Sequence, residues 1–290
     1  MSTPRLVGLL GGDVRFSLSL QLHNQAFRAR GLDWKYVPFP VPALPVSRLE
    51  DAVRGLRGLG FVGANVTMPH KERVMDYLDE VHDTARLIGA VNSIRVERCG
   101  RLIGCNTDAP GFLADLENQG VDWTARPALV LGAGGAGRAV AFALAQNGCP
   151  RITLLNRTHE RAERLARDLN DHLPSLPVQV HPWSTGIAAT VEPDSLVVNC
   201  TSVGMQGTPE AASLPWPEDT PMQPGQVVVD LVYAPLATPL LKKARRDGAH
   251  PVSGLGMLVQ QAALAFAWWT DHPPPVPQMQ ATAQACTSYA

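Results

Sequence analysis

A glycine pattern between an apolar strand and an alanine-rich helix constrains the fold of this chain more than any other feature. Gly132, Gly134 and Gly137 form a G-x-G-x-x-G turn within ALVLGAGGAGRAVAFAL. Glycines at this spacing allow a tight turn and close backbone approach to a ligand, and the free N–H groups at the helix start attract a pyrophosphate. A second strand follows at 152–156, as in a βαβ unit. The pattern predicts a dinucleotide site, and a tight turn without a ligand is the alternative.

The rest of the chain alternates short β-rich runs with amphipathic stretches, which is typical of sheets covered by helices. Strands are predicted at 5–10, 34–39, 61–66, 91–96, 101–104, 128–131, 152–156, 178–181, 195–200 and 226–232, and helices at 19–30, 47–57, 135–147, 158–169, 238–247 and 254–270. The last helix and the segment after it have no sheet of their own to cover, so we expect them to return to the first strands. The sequence therefore predicts a two-domain α/β protein. Its N-terminal α/β substrate domain comprises residues 1–108 plus 253–290, and its Rossmann-like, doubly wound dinucleotide-binding domain comprises residues 109–252.

Composition excludes several classes of function. Among 290 residues, 25 lysines and arginines nearly balance 26 aspartates and glutamates, so the polybasic surface that nucleic acids or anionic membranes attract is not predicted. Five scattered cysteines without C-x-x-C spacing argue against a disulfide framework and a zinc site. The uncharged stretch 251–270 contains two glycines and two glutamines and favours a buried helix over a membrane span. We expect a soluble, cytoplasmic protein that binds a small molecule and no metal; the oligomeric state stays open, a homodimer included.

The end of the second dinucleotide-domain strand indicates which cofactor binds. An NAD site places Asp or Glu about 20 residues after the glycine turn, where it binds the ribose hydroxyls. Here Asn156 lies 24 residues after Gly132 and is followed by Arg157. An acid would repel a 2′-phosphate, whereas Arg157 and Arg161, one helical turn apart, would attract it. The prediction is NADP(H), and a solvated charged helix face is the alternative.

Two polar segments of the first domain are further candidates for a functional site. They are GANVTMPHKE at 63–72 and NTD at 106–108. Pro69 suits the first position of a helix, which predicts a helix that begins there with Lys71 in its first turn. Lys71 and Asp108 are then expected to interact as a pair. An ordinary surface lysine is the alternative.

A serine pair, Ser17 and Ser19, directly precedes the first predicted helix. Residues two apart point the same way in an extended chain, so both hydroxyls could bind one carboxylate beside the positive end of the helix. The competing interpretation is that Ser19 is the N-cap and Ser17 is a loop hydroxyl.

The late helix has a predicted apolar face that includes one amide. Its members are Met257, Gln261, Leu264, Ala265 and Trp268. A buried carboxamide must find hydrogen-bond partners, so Gln261 is a candidate for binding a ligand hydroxyl, while Gln260 is predicted to face outward. The histidines show no catalytic spacing, and His23, His70 and His82 are interpreted as helix-surface or capping residues.

Taken together, these segments resemble the shikimate dehydrogenase family over nearly the whole chain. In chain order the motifs are S-x-S at 17–19, ANVTxPxK at 64–71, GAVN at 89–92, NTD at 106–108, GAGGAGR at 132–138, NRTxxR at 156–161, N-x-TS at 199–202, DLVY at 230–233 and GLGMLVxQ at 254–261. The resemblance implies a two-domain oxidoreductase that reduces 3-dehydroshikimate to shikimate with NADPH across a deep cleft, in the biosynthesis of chorismate and aromatic amino acids.

The resemblance also implies a role for each matched residue. Lys71 is similar to the family's proton donor, and Asp108 to the residue that orients it and binds a substrate hydroxyl. The implied substrate-binding residues are Ser17 and Ser19 as a carboxylate clamp, with Asn65, Thr67, Asn92, Asp108, Tyr233 and Gln261. The implied cofactor-binding residues are Gly132, Ala133, Gly134, Gly135, Ala136, Gly137, Asn156, Arg157, Thr158, Arg161, Thr201, Val232 and Gly254, together with Asp83. Of these, Val232 and Gly254 match positions beside the nicotinamide.

One motif departs from the family pattern. The family usually reads H-S-x-S-P, whereas this chain has Phe16 and Leu20 at the His and Pro positions. Both serines are kept, so the change bears on affinity and the choice of substrate more than on the type of reaction. Two alternatives therefore stay open: a quinate or aminoshikimate relative with the same chemistry, and an NADP-binding sensor without turnover.

Overall fold

The structure is a computed structural model that describes residues 4–288, apart from the side chains at 184, 185, 188, 189 and 288. The chain divides into two compact units, one formed by residues up to 111 together with 258–288 and the other by residues 112–257. Each unit is built around its own six-stranded sheet, which confirms the predicted two-domain α/β class. The predicted boundaries at 108 and 253 stay predictions, and residues 1–3 and 289–290 of the predicted substrate domain lie outside the described residues.

The elements follow one another in an alternating order. They are β1 (Arg5–Gly11), α1 (Ser19–Ala29), β2 (Trp34–Pro40), α2 (Ser47–Gly58), β3 (Gly63–Val66), a 3₁₀ helix (Arg73–Tyr77), β4 (Glu80–Val81), α3 (Asp83–Ile88), β5 (Ser93–Val96), β6 (Leu102–Cys105), α4 (Asp108–Asn118), β7 (Ala128–Leu131), α5 (Gly135–Gln146), β8 (Ile152–Asn156), α6 (His159–His172), β9 (Val178–Pro182), α7 (Trp183–Thr190), β10 (Leu196–Asn199), β11 (Val227–Asp230), α8 (Pro239–Asp247), β12 (His250–Ser253), α9 (Leu255–Thr270) and α10 (Val276–Ser288). None of the described helices is long and apolar enough to cross a membrane.

The first unit has a mixed sheet with the strand order β2-β1-β3-β5-β6-β4. Strand β5 runs antiparallel to both of its neighbours, and β1 is parallel to β3. The hairpin between β5 and β6 forms because only residues 97–101 connect them, too few for the crossover that parallel neighbours require. The carboxyl ends of β1, β3 and β6 and the amino end of β5 therefore meet at one edge of this sheet.

The second unit has an all-parallel sheet with the order β12-β11-β10-β7-β8-β9. Strands β7, β10 and β11 are buried over their whole length, as expected where helices cover both faces. The chain passes from β7 towards β8 and β9, and β10 then adds on the opposite side of β7. The carboxyl ends of β7 and β10 thus flank the point where the strand order reverses, which is where doubly wound folds bind their ligands.

Packing of the first unit corrects the interpretation of two histidines. His23 is fully buried in α1 and stacks on Tyr36, with ring centroids 4.5 Å apart. His70 is also buried, and its Nε2 lies 2.7 Å from the carbonyl oxygen of Val41. Both residues were predicted to be surface or capping groups; tertiary contacts with aromatic rings and loop backbone decide their positions instead. His82 is exposed and precedes α3, as predicted.

The face predicted for α9 is only partly correct. Met257, Gln261 and Ala265 are buried, whereas Leu264 is exposed. The helix buries a wider surface than one stripe, because Phe266 packs on Phe27 and the Trp269 indole donates a hydrogen bond to the carbonyl oxygen of Ile94. These contacts tie α9 to α1 and to the sheet of the first unit.

Candidate active site

The edge of the first sheet gathers most of the residues implied to bind substrate. Thr67 directly follows β3, Asn92 directly precedes β5, and Asp108 lies three residues after β6. The backbone holds this arrangement: Thr67 N donates to the carbonyl oxygen of Leu10 at 2.9 Å, and Asn92 N donates to that of Cys105 at 3.2 Å. Sheet topology therefore brings together side chains that are up to 41 residues apart in the sequence, from Thr67 to Asp108.

Lys71 and Asp108 form an ion pair at this edge. Lys71 Nζ lies 2.6 Å from Asp108 Oδ2, and the two side chains are 15% and 6% exposed. A charge-assisted hydrogen bond this short and this shielded is stronger than a surface pair. The alternative of an ordinary surface lysine is therefore not what the structure shows.

The predicted helix at Pro69 is wrong. Residues 68–69 and 71–72 form turns, and the 3₁₀ helix begins only at Arg73. The His70 ring bonds to the loop after β2, and the carbonyl oxygen of Lys71 accepts a hydrogen bond from Val91 N. These tertiary bonds compete with helix formation, so Lys71 owes its position to packing and to Asp108.

Asn92 fixes the second oxygen of Asp108. Its Nδ2 donates to Asp108 Oδ1 at 2.8 Å and to Thr107 Oγ1 at 2.9 Å, while its Oδ1 accepts from Thr107 N at 2.8 Å. The carboxylate is thus held from both sides, by a cation on one oxygen and an amide on the other.

Burial and the Asp108 charge raise the pKa of the neighbouring Cys105 thiol to about 12, so that thiol stays protonated at neutral pH.

A buried chain of hydrogen bonds runs from Tyr36 through Asn65 to the backbone of Asn92. The Tyr36 hydroxyl donates to Asn65 Oδ1 at 2.8 Å. Asn65 Nδ2 in turn donates to the Asn92 carbonyl oxygen at 3.1 Å and to Ser93 Oγ at 2.9 Å. Asn65 thus links β3 to Asn92 and to the start of β5, and its implied role in binding substrate stays a prediction. Tyr36 was not singled out in the sequence, since an aromatic residue in an alternating strand gives no sign of what its hydroxyl bonds.

The serine pair lies at the start of α1. Ser17 Oγ accepts a hydrogen bond from Ser19 N at 3.3 Å. Leu18 occupies the N-cap position, and no side chain caps the helix there, so the interpretation of Ser19 as the N-cap is wrong. Ser17 is half-buried and Ser19 buried. Their place beside a helix start fits the predicted anion clamp, which stays a prediction.

Gln261 lies in the first unit with the other amides. Its Nε2 donates to the Leu258 carbonyl oxygen at 2.8 Å, and its Oε1 is 3.5 Å from Asn92 Nδ2. Its backbone packs so closely on Gly111 that a side chain at position 111 would overlap with it. Gln261 is therefore held beside Asn92, as its predicted role requires.

The glycine turn of the second unit has the geometry of a phosphate cradle. Gly132 has φ +103°, which disfavours any side chain, and a Cβ at Gly137 would overlap with the carbonyl oxygen of Gly132. Gly134 is the N-cap of α5. Gly134, Gly135 and Ala136 are half-buried, whereas Ala133 is buried. The start of α5 can therefore be approached closely by a ligand.

The end of β8 places the residues predicted to distinguish NADP from NAD. Asn156 Oδ1 accepts a hydrogen bond from Ala133 N at 3.0 Å, which ties β8 to the glycine turn. Arg161 Nη2 approaches to 4.0 Å of the position that a Cβ on Gly134 would occupy. Arg157 is 87% exposed, and its Nη1 lies 3.4 Å from Glu210 Oε1. Thr158 is the N-cap of α6 and makes no side-chain cap bond.

The remaining cofactor-binding predictions follow β10, β11 and β12. The Thr201 methyl group lies 3.0 Å from the position of a Cβ on Gly132. Val232 is buried, and a side chain at Gly254 would overlap with the backbone of Leu231. Tyr233 follows Val232 and is half-buried. Asp83 differs from these residues, since it is an exposed residue in the first turn of α3, in the first unit.

Three polar residues of the second unit were not assigned a role from the sequence. Asn199 and Asp230 are the last residues of β10 and β11 and are fully buried, and Glu210 contacts Arg157. A polar residue at the end of an apolar strand, as in LVVN and VVVD, was the available signal.

Within residues 4–288, no cluster of three or more His, Cys, Asp or Glu residues could hold a metal ion.

Family models match three stretches of the chain. Residues 9–94 match the shikimate dehydrogenase substrate binding domain, residues 114–203 match shikimate/quinate 5-dehydrogenase, and residues 254–284 match the shikimate 5′-dehydrogenase C-terminal domain. The stretches follow the chain order of the motifs and cover both units.

Whole-chain relatives agree with these matches. Shikimate dehydrogenase (NADP(+)) of Symbiobacterium thermophilum is 48% identical, covering 97% of this chain and 94% of its own. Shikimate 5-dehydrogenase of Thermus thermophilus, solved in complex with NADP(H) and shikimate, is 37% identical with a TM-score of 0.82, covering 97% of this chain and 99% of its own. Quinate dehydrogenase of Corynebacterium glutamicum, solved with NAD, is 30% identical with a TM-score of 0.85, covering 97% and 99%. The chain belongs to the shikimate dehydrogenase family.

Proposed function

We propose that this protein reduces 3-dehydroshikimate reversibly to shikimate with NADPH, in the biosynthesis of chorismate and aromatic amino acids. The observation that carries the proposal is the 2.6 Å ion pair of Lys71 and Asp108, whose second carboxylate oxygen is held by Asn92. A ketone that receives a hydride becomes an alkoxide and needs a proton. An ammonium group held by a hydrogen-bonded carboxylate meets that need.

The second unit fits NADP(H). The close approach of Gly137 to Gly132 leaves no space for a side chain in the turn, and the start of α5 presents the N–H groups that bind a pyrophosphate. Arg157 and Arg161 supply the guanidinium groups that bind a 2′-phosphate. When bound, NADPH supplies a hydride to the carbonyl carbon.

Residues of the first unit perform the rest of the chemistry. Lys71 Nζ donates a proton to the developing alkoxide, and in the reverse direction it accepts the proton from the alcohol. Asp108 keeps the ammonium oriented and can accept a hydrogen bond from a substrate hydroxyl, since a carboxylate oxygen has more than one acceptor site. Asn92 prevents the carboxylate from rotating away. Because these charged groups are already oriented before the reaction, they need not rearrange during it.

The chain also carries groups suited to the rest of the substrate. Ser17 and Ser19, at the start of α1, would bind the carboxylate. Thr67 and Gln261, both in the first unit, would contact the ring hydroxyls, and Tyr233 keeps its implied role as a substrate-binding residue. A compact polyol acid with several hydroxyls matches this set of hydroxyl and amide groups, which can donate hydrogen bonds to it and accept them from it.

The alternatives are not favoured. NAD-dependent quinate oxidation would favour an acidic residue at the end of β8, where this chain has Asn156 followed by Arg157. A cofactor sensor without turnover needs no buried lysine–aspartate pair outside its cofactor-binding unit. We propose a cytoplasmic location, because five scattered cysteines without C-x-x-C spacing are usual in reducing compartments. A homodimer stays a prediction, which light scattering tests.

Initial rates of the purified protein test the proposal. Shikimate and quinate are each oxidised with NADP⁺ and with NAD⁺, and kcat/KM is compared over the four pairs. Shikimate with NADP⁺ is expected to exceed every other pair by about tenfold or more, the scale of one lost charge-assisted contact. Preference for quinate or for NAD⁺ would support the paralogue, and no turnover with any pair would support the sensor.

A further inference from the structure

Asp230 is a buried carboxylate for which the proposed chemistry has no direct use. It is the last residue of β11, is fully buried, and accepts hydrogen bonds from Asn199 Nδ2 at 2.9 Å, Val232 N at 3.1 Å and Thr238 Oγ1 at 2.6 Å. All three donors are neutral. Burial raises the pKa of Asp230 to about 6 against the opposing effect of these bonds. Asp230 is therefore a buried carboxyl group held by three neutral donors rather than by a cation.

The first consequence concerns the turn after β10. Asn199 Oδ1 accepts from Thr201 N at 3.1 Å and from Thr201 Oγ1 at 2.7 Å. The Thr201 N–H can only donate, so the oxygen of Asn199 faces Thr201 and its NH₂ group faces Asp230. Asp230 thereby accepts the hydrogen bond that holds the amide of the Thr201 turn in place.

That turn contacts the phosphate cradle. The Thr201 methyl group lies 3.0 Å from the position of a Cβ on Gly132, and the Cys200 carbonyl oxygen lies 3.3 Å from it. Strands β7 and β10 are direct neighbours in the sheet. A change in the Thr201 turn would therefore shift the wall of the site where the cofactor's pyrophosphate is expected.

The second consequence concerns residues 231–238, which we call the β11 loop. Asp230 Oδ1 binds the start of this loop at Val232 N, and Oδ2 binds its end at Thr238. The Thr238 hydroxyl also accepts from Leu241 N and so caps α8. The loop carries Val232 and Tyr233, and its first residue packs against Gly254. One carboxylate thus closes the loop at both ends.

We propose that Asp230 is a positioning residue for hydride transfer, because it couples the Thr201 turn to the β11 loop and so sets the nicotinamide end of the cofactor site. This inference rests on the proposed function and deepens it. It assigns Asp230, Asn199 and Thr238 to one network that acts through Thr201, Val232 and Tyr233 without touching substrate or cofactor. The adenosine end, held by Arg157 and Arg161 at the opposite side of β7, is independent of this network.

Two substitutions test the network at different points. Thr238→Val removes the hydroxyl that binds Oδ2, and Thr238→Ser restores it with little change in shape. Asp230→Asn keeps the size of the side chain and removes its charge. Thr153→Val is the matched control, because Thr153 is a buried threonine of β8 in the same sheet. Thermal unfolding of every variant is measured first, since Thr238→Val also loses a helix cap worth about 1 kcal/mol.

Three readouts are needed: kcat, the primary isotope effect with shikimate deuterated at the oxidised carbon, and inhibition by adenosine 2′,5′-bisphosphate, a probe of the adenosine end alone. In Thr238→Val and Asp230→Asn, kcat is expected to fall about tenfold or more, the scale of a small misplacement of reacting atoms. The isotope effect should rise because hydride transfer becomes the slow step, and the inhibition constant should stay within about twofold. Thr238→Ser and Thr153→Val should retain the wild-type values.

The outcomes separate this inference from the proposed function. A wild-type protein that does not oxidise shikimate with NADP⁺ refutes the proposed function itself. An active wild type, with variants that keep both kcat and the isotope effect, refutes the positioning role alone. A loss of kcat without a change in the isotope effect, or with an equal loss of affinity for the bisphosphate, would indicate general damage to the fold and would also refute it. If Asp230→Asn does not fold, the Thr238 pair decides.

Discussion

Arg157 Nη1 lies 3.4 Å from Glu210 Oε1, so the residue predicted to bind the 2′-phosphate already has an anionic partner within its own unit. Both side chains are substantially exposed, and such a pair contributes at most about 1 kcal/mol. A phosphate dianion is a stronger partner for a guanidinium group. Glu210 therefore competes with the cofactor for Arg157 without preventing its binding.

Changes to this pair should act in opposite directions. Arg157→Ala is expected to weaken NADPH binding about tenfold or more, from the loss of a charge-assisted hydrogen bond. Glu210→Gln should strengthen NADPH binding about two- to fivefold, because the competing charge is gone. Titration of nicotinamide fluorescence measures both, and NADH, which lacks the phosphate, should respond to neither change. Equal effects on NADPH and NADH would show that residues other than Arg157 bind the 2′-phosphate.

The serine pair makes a prediction about substrate rather than cofactor. Ser17→Ala removes a hydroxyl at the start of α1 that would bind the carboxylate of shikimate. The Michaelis constant for shikimate should rise about tenfold, the usual effect of a hydrogen bond to a charged group, while that for NADP⁺ stays the same. Ser47→Ala, at the exposed start of α2, is the matched control. The reverse pattern, a higher constant for NADP⁺ alone, would remove Ser17 from the clamp.

His23 should make the protein sensitive to acid. Burial lowers its pKa to about 3 from an ordinary value of 6.5, so the folded state keeps the ring neutral. The unfolded chain binds a proton below about pH 6.5, and stability is therefore lost as the pH falls from there towards 3. Relative to His23→Phe, the wild type should lose about 2 kcal/mol of unfolding free energy between pH 7 and pH 5. Urea unfolding at both values measures this, and parallel losses in the two proteins would contradict it.

Local patterns predicted the glycine turn and most of the strands, because both depend on neighbouring residues. The glycine turn needs only a strand, three glycines and a helix in sequence. Features fixed by distant contacts were missed: the segment after Pro69 is held by bonds to the loop after β2 and to Asp108, and His23 is buried by the rings of Tyr36 and Trp269. Helix periodicity gave no sign of either.

The residues of the candidate site show the same division. The motifs at 64–71 and 106–108 predicted Lys71 and Asp108 as a pair, while the 2.6 Å distance between Nζ and Oδ2 comes from β3 and β6 ending at the same edge of the sheet. Asp230 and Asn199 lay within recognised motifs, but the hydrogen bond between their side chains depends on the pairing of β10 with β11. The sequence pattern therefore predicts candidate site residues, and the strand order determines which of their side chains are in contact.

Asp108 should matter for turnover as much as for substrate affinity. Asp108→Asn keeps an oxygen for Lys71 but removes the charge that orients the ammonium group. The value of kcat should fall about a hundredfold, the usual scale for a group in acid–base catalysis, and the Michaelis constant for shikimate should rise. Steady-state rates give both numbers, and a change in the Michaelis constant alone would limit Asp108 to substrate binding.

The most direct test of the central claim is a single turnover with and without the Lys71 amine. Enzyme with bound NADP⁺ is mixed rapidly with shikimate, and the formation of NADPH is followed by absorbance for the wild type, Lys71→Ala and the exposed-lysine control Lys35→Ala. Lys71→Ala should slow NADPH formation about a hundredfold or more with unchanged NADPH affinity, while Lys35→Ala matches the wild type. Formation of NADPH at the wild-type rate in Lys71→Ala would contradict the account.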